Sequence, residues 1–185
     1  MRIAYNADIV LLKLYSEDGS IMWQRSINSY GDGDDYATAV VTDANADIFI
    51  VGSTNDGSKD CYVGKFSGAN GNAIWQKRYD IDGFDDTGTG VTIDKDGNLG
   101  VVGTTEFMGN FIPVFKINGG TGDIIWQAKV VSWRTDNGNY NNYSLNSSDI
   151  AADGNGDFYL SLNGVSPSGP GSISIVTKFN GTTGA

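Results

Sequence analysis

The chain of 185 residues has no histidine, a single cysteine and three prolines. Without histidine, Ser-His-Asp and Cys-His nucleophiles, histidine-bound zinc and imidazole acid–base catalysis are all excluded. The one cysteine, Cys61, excludes an internal disulfide and a cysteine-based metal site. It lies on a predicted strand, where we expect a small buried residue.

Positive charge and long apolar runs are also scarce. Lys and Arg number 12 against 22 Asp and Glu, and the formal net charge is −10. A DNA or RNA partner is therefore not expected, because no cationic surface is available to displace counterions. No apolar run approaches the ~18 residues of a transmembrane helix, so no membrane insertion is expected, and the first ten residues lack the features of a signal peptide. The low Lys and Arg content, with abundant Asn, Asp, Gly and Thr, resembles exported, cell-surface or virion proteins.

The chain repeats itself with a period near 50 residues. A Trp-Gln pair occurs at Trp23, Trp75 and Trp126, with spacings of 52 and 51. The segments before each pair align at 9–24, 61–76 and 112–127, and a fourth copy at 175–185 stops before its tryptophan. A fixed period of this length indicates an array of similar units. The units are expected at about 8–59, 60–110 and 111–172, with a partial unit at 173–185.

Each unit is predicted to contain four short strands. Apolar and β-branched runs alternate with Gly, Asp, Asn and Ser clusters, and no stretch has a helical period. In the first unit the strands are expected at about 8–15, 21–27, 36–42 and 47–53. Four strands per repeat is the sheet size of a propeller blade, and a recurring tryptophan suits packing between blades. The fold class predicted is all-β, a propeller or propeller-like array of four-stranded antiparallel blades in one domain.

The run from 29 to 54, SYGDGDDYATAVVTDANADIFIVGST, resembles the bacterial β-propeller repeat family called SBBP. The segment before each tryptophan is similar to the tryptophan motif of quinoprotein-like propellers. The third unit departs from the pattern at Leu145 and Leu162. The resemblance implies a fold rather than an activity, because propellers host many unrelated functions. It also implies no cofactor.

That motif joins the third and fourth strands of quinoprotein-like blades, and this sets the phase of the repeat. The chain then opens with the last two strands of one blade, contains two whole blades and ends with three strands of another, which is an incomplete ring. Three explanations follow: a fragment of a longer chain, identical chains that complete a ring, or an open array capped by a partner. The first is favoured, since the fourth copy ends inside a motif.

Two acidic patterns recur. The pairs Asp34-Asp35 and Asp85-Asp86 belong to the repeat, so we expect them to satisfy backbone donors rather than to catalyse. The second pattern places oxygen ligands at alternate residues, which resembles the opening of a calcium loop. The favoured interpretation is a hairpin turn, and calcium is the alternative. The residues concerned are Asp43, Asn45, Asp47, Asp94, Asp96, Asn98, Asp153, Asn155 and Asp157.

Four lysines recur near the end of an apolar strand, at Lys13, Lys65, Lys116 and Lys178. We expect each charge to lie at a solvated rim or to pair with a repeat aspartate, such as those of the Gly-Asp-Asp segments.

The third unit carries an insertion. From tryptophan to turn aspartate the first two units use 20 and 19 residues, and the third uses 27. Aromatic residues among amides and hydroxyls suit recognition of a glycan or protein, although the rings could equally pack onto the adjacent blade. The candidate ligand-binding residues are Trp133, Arg134, Tyr140 and Tyr143, with Phe107 and Phe111 from a connection on the same face.

The function expected is a non-catalytic structural or binding module that presents this face to a glycan or protein. One alternative is a carboxylate-dependent hydrolase or lyase acting on polysaccharide, for which the acids unique to the insertion are Asp136 and Asp149. Another is a self-assembling ring or filament subunit.

Overall fold

The computed structural model describes residues 7–28, 33–81, 83–105, 111–131, 133–136, 139–142, 144–165 and 172–185. Within these ranges the chain is all-β, with fifteen strands and no helix. The strands are β1 Ile9–Leu14, β2 Ile21–Ile27, β3 Tyr36–Thr42, β4 Ile48–Asn55, β5 Lys59–Phe66, β6 Ala73–Tyr79, β7 Asp86–Ile93, β8 Leu99–Thr105, β9 Phe111–Ile117, β10 Ile124–Val131, β11 Trp133–Asp136, β12 Asn139–Asn142, β13 Ser144–Ala152, β14 Phe158–Val165 and β15 Ser172–Phe179.

The strands of the described residues form five antiparallel sheets in chain order. Strands β1 and β2 form the first, β3 to β6 the second, β7 to β10 the third and β13 to β15 the last, and β11 pairs with β12 alone. This grouping of two, four, four and three strands agrees with the phase expected from the tryptophan motif. The four strands expected in the first repeat are confirmed, with ends that differ by at most two residues.

Hydrophobic clusters lie between consecutive sheets rather than within one of them. Phe49 and Val63 of the second sheet pack with Val101 and Phe115 of the third. A similar cluster joins the third sheet to the last, and another joins the first to the second. The middle strands β4, β5 and β9 are therefore buried on both faces, and each contains an uninterrupted apolar run at its centre or start, such as Cys61–Val63 in β5.

The strands of the first and last sheets alternate instead between buried and exposed residues. Strand β1 is as apolar as β5, yet Val10 is 61% exposed, and Val176 of β15 is 75% exposed. A sheet with a neighbour on one face buries only every second side chain. Among the described residues no helix is long and apolar enough to cross a membrane.

Each repeat tryptophan is half-buried and packs against the hairpin of the following sheet. Trp75 Nε1 donates to the Gly119 carbonyl at 3.2 Å, and Trp126 Nε1 donates to the Gly181 carbonyl at 3.1 Å. The hairpin glycine is needed because its φ is positive and because its face meets the ring. At Gly122, φ is 74°, and a Cβ there would lie 3.0 Å from Trp75 Cε3. The tryptophans thus pack between sheets, as predicted.

Three of the repeat lysines, Lys65, Lys116 and Lys178, pair with aspartates of the hairpin turns, and this corrects the example of the Gly-Asp-Asp segments. Lys13 Nζ donates instead to the Gly68 carbonyl. Lys116 Nζ lies 2.7 Å from Asp94 Oδ2 and also donates to the Gly181 carbonyl. Lys178 pairs with Asp157 of the hairpin turn in its own sheet at 2.8 Å, and Asp153, the counterpart of Asp94, lies 3.9 Å from Lys178 Nζ. Lys116 and Asp94 are almost fully buried, whereas the Lys178 side chain is 48% exposed.

Replacing Gly122 by alanine should destabilise the fold more than the same change at Gly97. Both glycines have φ near 75°, but a Cβ at Gly97 meets no atom within 4 Å. We expect Gly97→Ala to cost about 1–2 kcal/mol for the left-handed backbone, and Gly122→Ala about 1–3 kcal/mol more for the clash with Trp75. Urea denaturation of both variants measures the difference, and equal midpoints would contradict the tryptophan packing.

Replacing Lys116 by methionine should cost about 3–5 kcal/mol, because it leaves Asp94 charged and buried without its partner. The matched control is Lys178→Met, which removes the same type of pair at an exposed position and should cost about 0–1 kcal/mol. The free energy of unfolding at pH 7 provides the test. Similar losses of unfolding free energy in the two variants would show that burial does not determine how much the ion pair stabilises the fold.

Candidate functional site

Three carboxylates come together where the second sheet meets the third. One oxygen from each of Asp60, Asp80 and Asp86 lies within 4.8 Å of the others. Asp60 lies in β5, Asp80 directly follows β6, and Asp86 begins β7. These three residues are called the acid cluster below. The fold brings them together because β5 starts, β6 ends and β7 starts at the same end of two stacked antiparallel sheets.

We call this end of the sheets the connection face. It carries the link 56–58 and the described residues between β6 and β7, and strand β10, which precedes the inserted hairpin of β11 and β12, ends there. The hairpin turns with the alternating Asx residues lie at the opposite end. The insertion expected from the sequence therefore emerges on the same face as the acid cluster.

Two members of the acid cluster are buried. Asp86 is 0% exposed and Asp60 is 1% exposed, whereas Asp80 is exposed. Arg78 Nε lies 3.0 Å from Asp60 Oδ2, and Ser58 Oγ lies 3.3 Å from the same oxygen. Burial raises the pKa of Asp60, and the nearby Arg78 opposes that rise.

Asp86 is the least compensated member. Its Oδ2 accepts the Ile81 N–H at 2.7 Å. Its Oδ1 has no hydrogen-bond partner among the described residues, and neither has Oγ1 of Thr105, its cross-strand neighbour. The Thr105 hydroxyl still favours the carboxylate by its proximity. Burial raises the pKa of Asp86 from 3.8 to about 6, against the effect of the Ile81 amide, and the charges of Asp80 and Asp60 raise it further.

Among the described repeats, one unit has an acid at all three aligned positions of the cluster. The first unit has Asp8, Asn28 and Asp35 at these positions, and the third unit has Phe111, Val131 and Leu145. Sequence reasoning missed the cluster because Asp86 was assigned to a repeated structural pair, and because Asp60 lies on a strand of a different sheet. The available signal was that the three acids occur together in one unit alone.

The other members of the repeated pairs satisfy backbone donors, as expected. Asp85 Oδ1 accepts the Lys59 N–H at 3.1 Å, and Asp34 Oδ1 accepts the Ala7 N–H at 2.8 Å. The acids suggested for a catalytic insertion do not join the cluster. Asp149 is exposed and accepts the N–H of Ile150, and only the backbone of Asp136 is described, in β11.

The nine residues of the calcium alternative lie in hairpin turns whose first aspartate already accepts two backbone N–H groups. Asp94 Oδ1 accepts the N–H groups of Asp96 and Asn98, both at 2.9 Å, while Oδ2 pairs with Lys116. The same pattern holds at Asp43, Asn45 and Asp47, and at Asp153, Asn155 and Asp157. The geometry is that of the favoured hairpin turn.

The candidate ligand-binding residues lie in three different situations. Phe111 is 7% exposed and packs in the cluster between the second and third sheets, with Lys129 Nζ 4.5 Å from its ring centre, so its proposed contact with a ligand is wrong. Trp133, Arg134 and Tyr140 belong to the hairpin of β11 and β12, of which the backbone is described. Phe107 and Tyr143 lie outside the described residues.

No protein-family model matches the sequence, and no curated protein matches it. Among solved structures, the chain resembles an endo-arabinase from Bacteroides thetaiotaomicron VPI-5482, with a TM-score of 0.52 and 14% sequence identity. The match covers 89% of this chain and 65% of the arabinase chain, so the sequence spans less than two thirds of that structure.

This comparison corrects the expected function. The structural neighbour is an enzyme. This finding contradicts the prediction of a non-catalytic module without enzymatic activity. The polysaccharide hydrolase that the sequence left as an alternative agrees better with it. The acid cluster also provides a group of oxygens that could hold a metal ion.

Burial of Asp86 should make stability depend on pH. The folded protein keeps its proton up to a pKa of about 6, whereas the unfolded chain loses it near 3.8. The free energy of unfolding should therefore fall as the pH rises from 4 to 6, by about 3 kcal/mol in all. Asp86→Asn should remove this fall and be more stable than the wild type at pH 7.

Urea denaturation at several pH values in EDTA measures this effect. The control is Asp96→Asn, which removes an exposed carboxylate at the opposite end of the sheets and should keep the slope. A wild-type stability that stays constant or rises between pH 4 and 6 would contradict the raised pKa.

Proposed function

We propose that the chain is the β-propeller portion of a carboxylate-dependent hydrolase acting on polysaccharide. The observation that carries the proposal is the acid cluster, which lies on the connection face of a fold similar to that of an endo-arabinase. Glycoside hydrolysis uses a pair of carboxyl groups that flank the bond to be cleaved, and it needs no histidine. The reaction is therefore compatible with the composition of this chain.

The arrangement of sheets supports a propeller. Each complete sheet has four antiparallel strands, and its first strand packs against the preceding sheet: β7 contacts β3, β4 and β5, and β13 contacts β7, β8 and β9. A repeated relation of this kind carries the sheets around an axis, with the first strands innermost. We propose that further blades, from a longer chain or from identical chains, complete the ring. Membership of the SBBP repeat family also remains a prediction.

The exposed carboxylates next to the buried pair are the groups that a sugar could reach. Asp80 is the exposed member of the acid cluster, and Asp85 is exposed and held in place by its bond to the Lys59 N–H. We assign the chemistry to these two residues. One protonates the leaving oxygen, and the other attacks the anomeric carbon or activates a water molecule. Asp60 and Asp86 are buried beneath them and act on their position and charge.

The insertion extends the same face toward a long substrate. Its hairpin places Trp133 opposite Asn142 and Tyr140 opposite Thr135 in the strand register. Aromatic and amide side chains of this kind bind sugars through ring area and oriented hydrogen bonds. A polysaccharide substrate also fits an extracellular or cell-surface location, which the composition favours.

Asp80→Asn should lower hydrolysis by at least about 10²-fold, because an amide can neither attack nor transfer a proton. The purified chain is incubated with arabinan and a panel of other polysaccharides, and new reducing ends are counted. Asp85→Asn should behave in the same way. Asp96→Asn, on the opposite end of the sheets, should retain full activity.

Circular dichroism of each variant confirms that the fold is intact. Absence of hydrolysis by the wild-type chain on every polysaccharide, or full activity of Asp80→Asn, would refute the assignment.

A further inference from the structure

Two buried oxygens without hydrogen-bond partners lie next to each other at the acid cluster. They are Asp86 Oδ1 and Thr105 Oγ1, and they account for two of the three such side-chain atoms among the described residues. A buried acceptor without a partner costs about 1–3 kcal/mol, so native proteins normally satisfy it with water, an ion or another group. Both residues sit at one end of the β7–β8 pair, where they face each other across the strands.

The charge at this place is also uncompensated. Arg78 is the cation paired with the cluster, through Asp60, and three ionised carboxylates against one guanidinium leave two negative charges. Buried charges are stable only when they are paired or coordinate a metal.

From these two observations we propose that Asp60, Asp80 and Asp86 bind a divalent cation, with Ca²⁺ as the preferred ion. Every donor is an oxygen, which selects Ca²⁺, Mg²⁺ or Mn²⁺ over softer metals. Oxygens on opposite sides of a calcium ion are about 4.8 Å apart, twice the Ca–O distance, and the cluster oxygens lie within that limit. Mg²⁺ demands a near-ideal octahedron, whereas Ca²⁺ accepts a flexible geometry, which suits three carboxylates that different strands hold in place.

The three carboxylates contribute one oxygen each, and Ca²⁺ takes six to eight. The hydroxyls of Thr105, opposite Asp86, and of Ser58, 3.3 Å from Asp60 Oδ2, are further oxygen donors, and water would fill the other positions. The ion would link β5 and the residue after β6 to the start of β7, and so hold the second sheet to the third on the connection face. It would also fix Asp80. That role in catalysis rests on the proposed function, whereas the binding itself does not.

This site differs from the calcium loops considered from the sequence. Those turns lie at the opposite end of the sheets, where a lysine of the same sheet pairs with the turn aspartates. The two sites are therefore separable by mutation.

Calorimetric titration of the EDTA-treated chain with CaCl₂ tests the proposal. We expect one ion per chain with a dissociation constant on the order of 10⁻⁴ M. At 10 mM CaCl₂ the melting temperature should rise by roughly 5–10 °C, with a smaller rise in MgCl₂ and none in NaCl of equal ionic strength. Asp86→Asn should abolish the rise, and Asp80→Asn, an exposed change that spares folding, should weaken binding at least tenfold.

Asp96→Asn removes an acid of a calcium-like turn and should bind Ca²⁺ as the wild type does. No binding, unchanged binding by Asp86→Asn and Asp80→Asn, or loss of binding in Asp96→Asn would each overturn the proposal. Hydrolysis is measured separately with and without EDTA. Binding without hydrolysis would support the site and count against the proposed function, and hydrolysis without binding would do the reverse.

Discussion

The packing of each sheet against the hairpin of the next is the interaction on which the rest of this structure depends. A repeat tryptophan lies on a glycine of the following hairpin, and in the second and third sheets its indole N–H donates to a carbonyl of that hairpin. No sheet buries its apolar residues alone, because the hydrophobic clusters lie between sheets. The tryptophan contact therefore sets the spacing and order of the sheets, and with them the position of every loop.

That packing also creates the acid cluster. Asp60 and Asp80 belong to one sheet and Asp86 to the next, so their approach within 4.8 Å exists only when the two sheets stack. Burial between the sheets raises the pKa of Asp86 and leaves one of its oxygens without a hydrogen-bond partner among the described residues. A buried acid of this kind lowers the folding stability, which is typical of functional sites, because the destabilising arrangement serves binding or chemistry.

The opposite end of the sheets presents a contrast that explains why the turns are structural. There the aspartates accept two backbone N–H groups and pair with a lysine from a neighbouring strand. A lysine of the same sheet therefore partly compensates their charge, and the same arrangement recurs from sheet to sheet. At the connection face the repeat is broken instead, by the acid cluster and by the inserted hairpin of β11 and β12.

The resemblance of the tryptophan motif to that of quinoprotein-like propellers predicted the grouping of strands into sheets. The sequence by itself determined the all-β class, the strands of the first repeat and the hairpin turns. These follow from local patterns: alternation, glycine at positive φ, and Asx residues that bond to nearby backbone. Only the tertiary structure decided that Asp86 differs from its repeat partner Asp85, that Phe111 lies in the core, and that the lysines pair with turn aspartates. The physical reason is that burial, pKa and charge compensation depend on residues from other strands and sheets, which sequence spacing does not reveal.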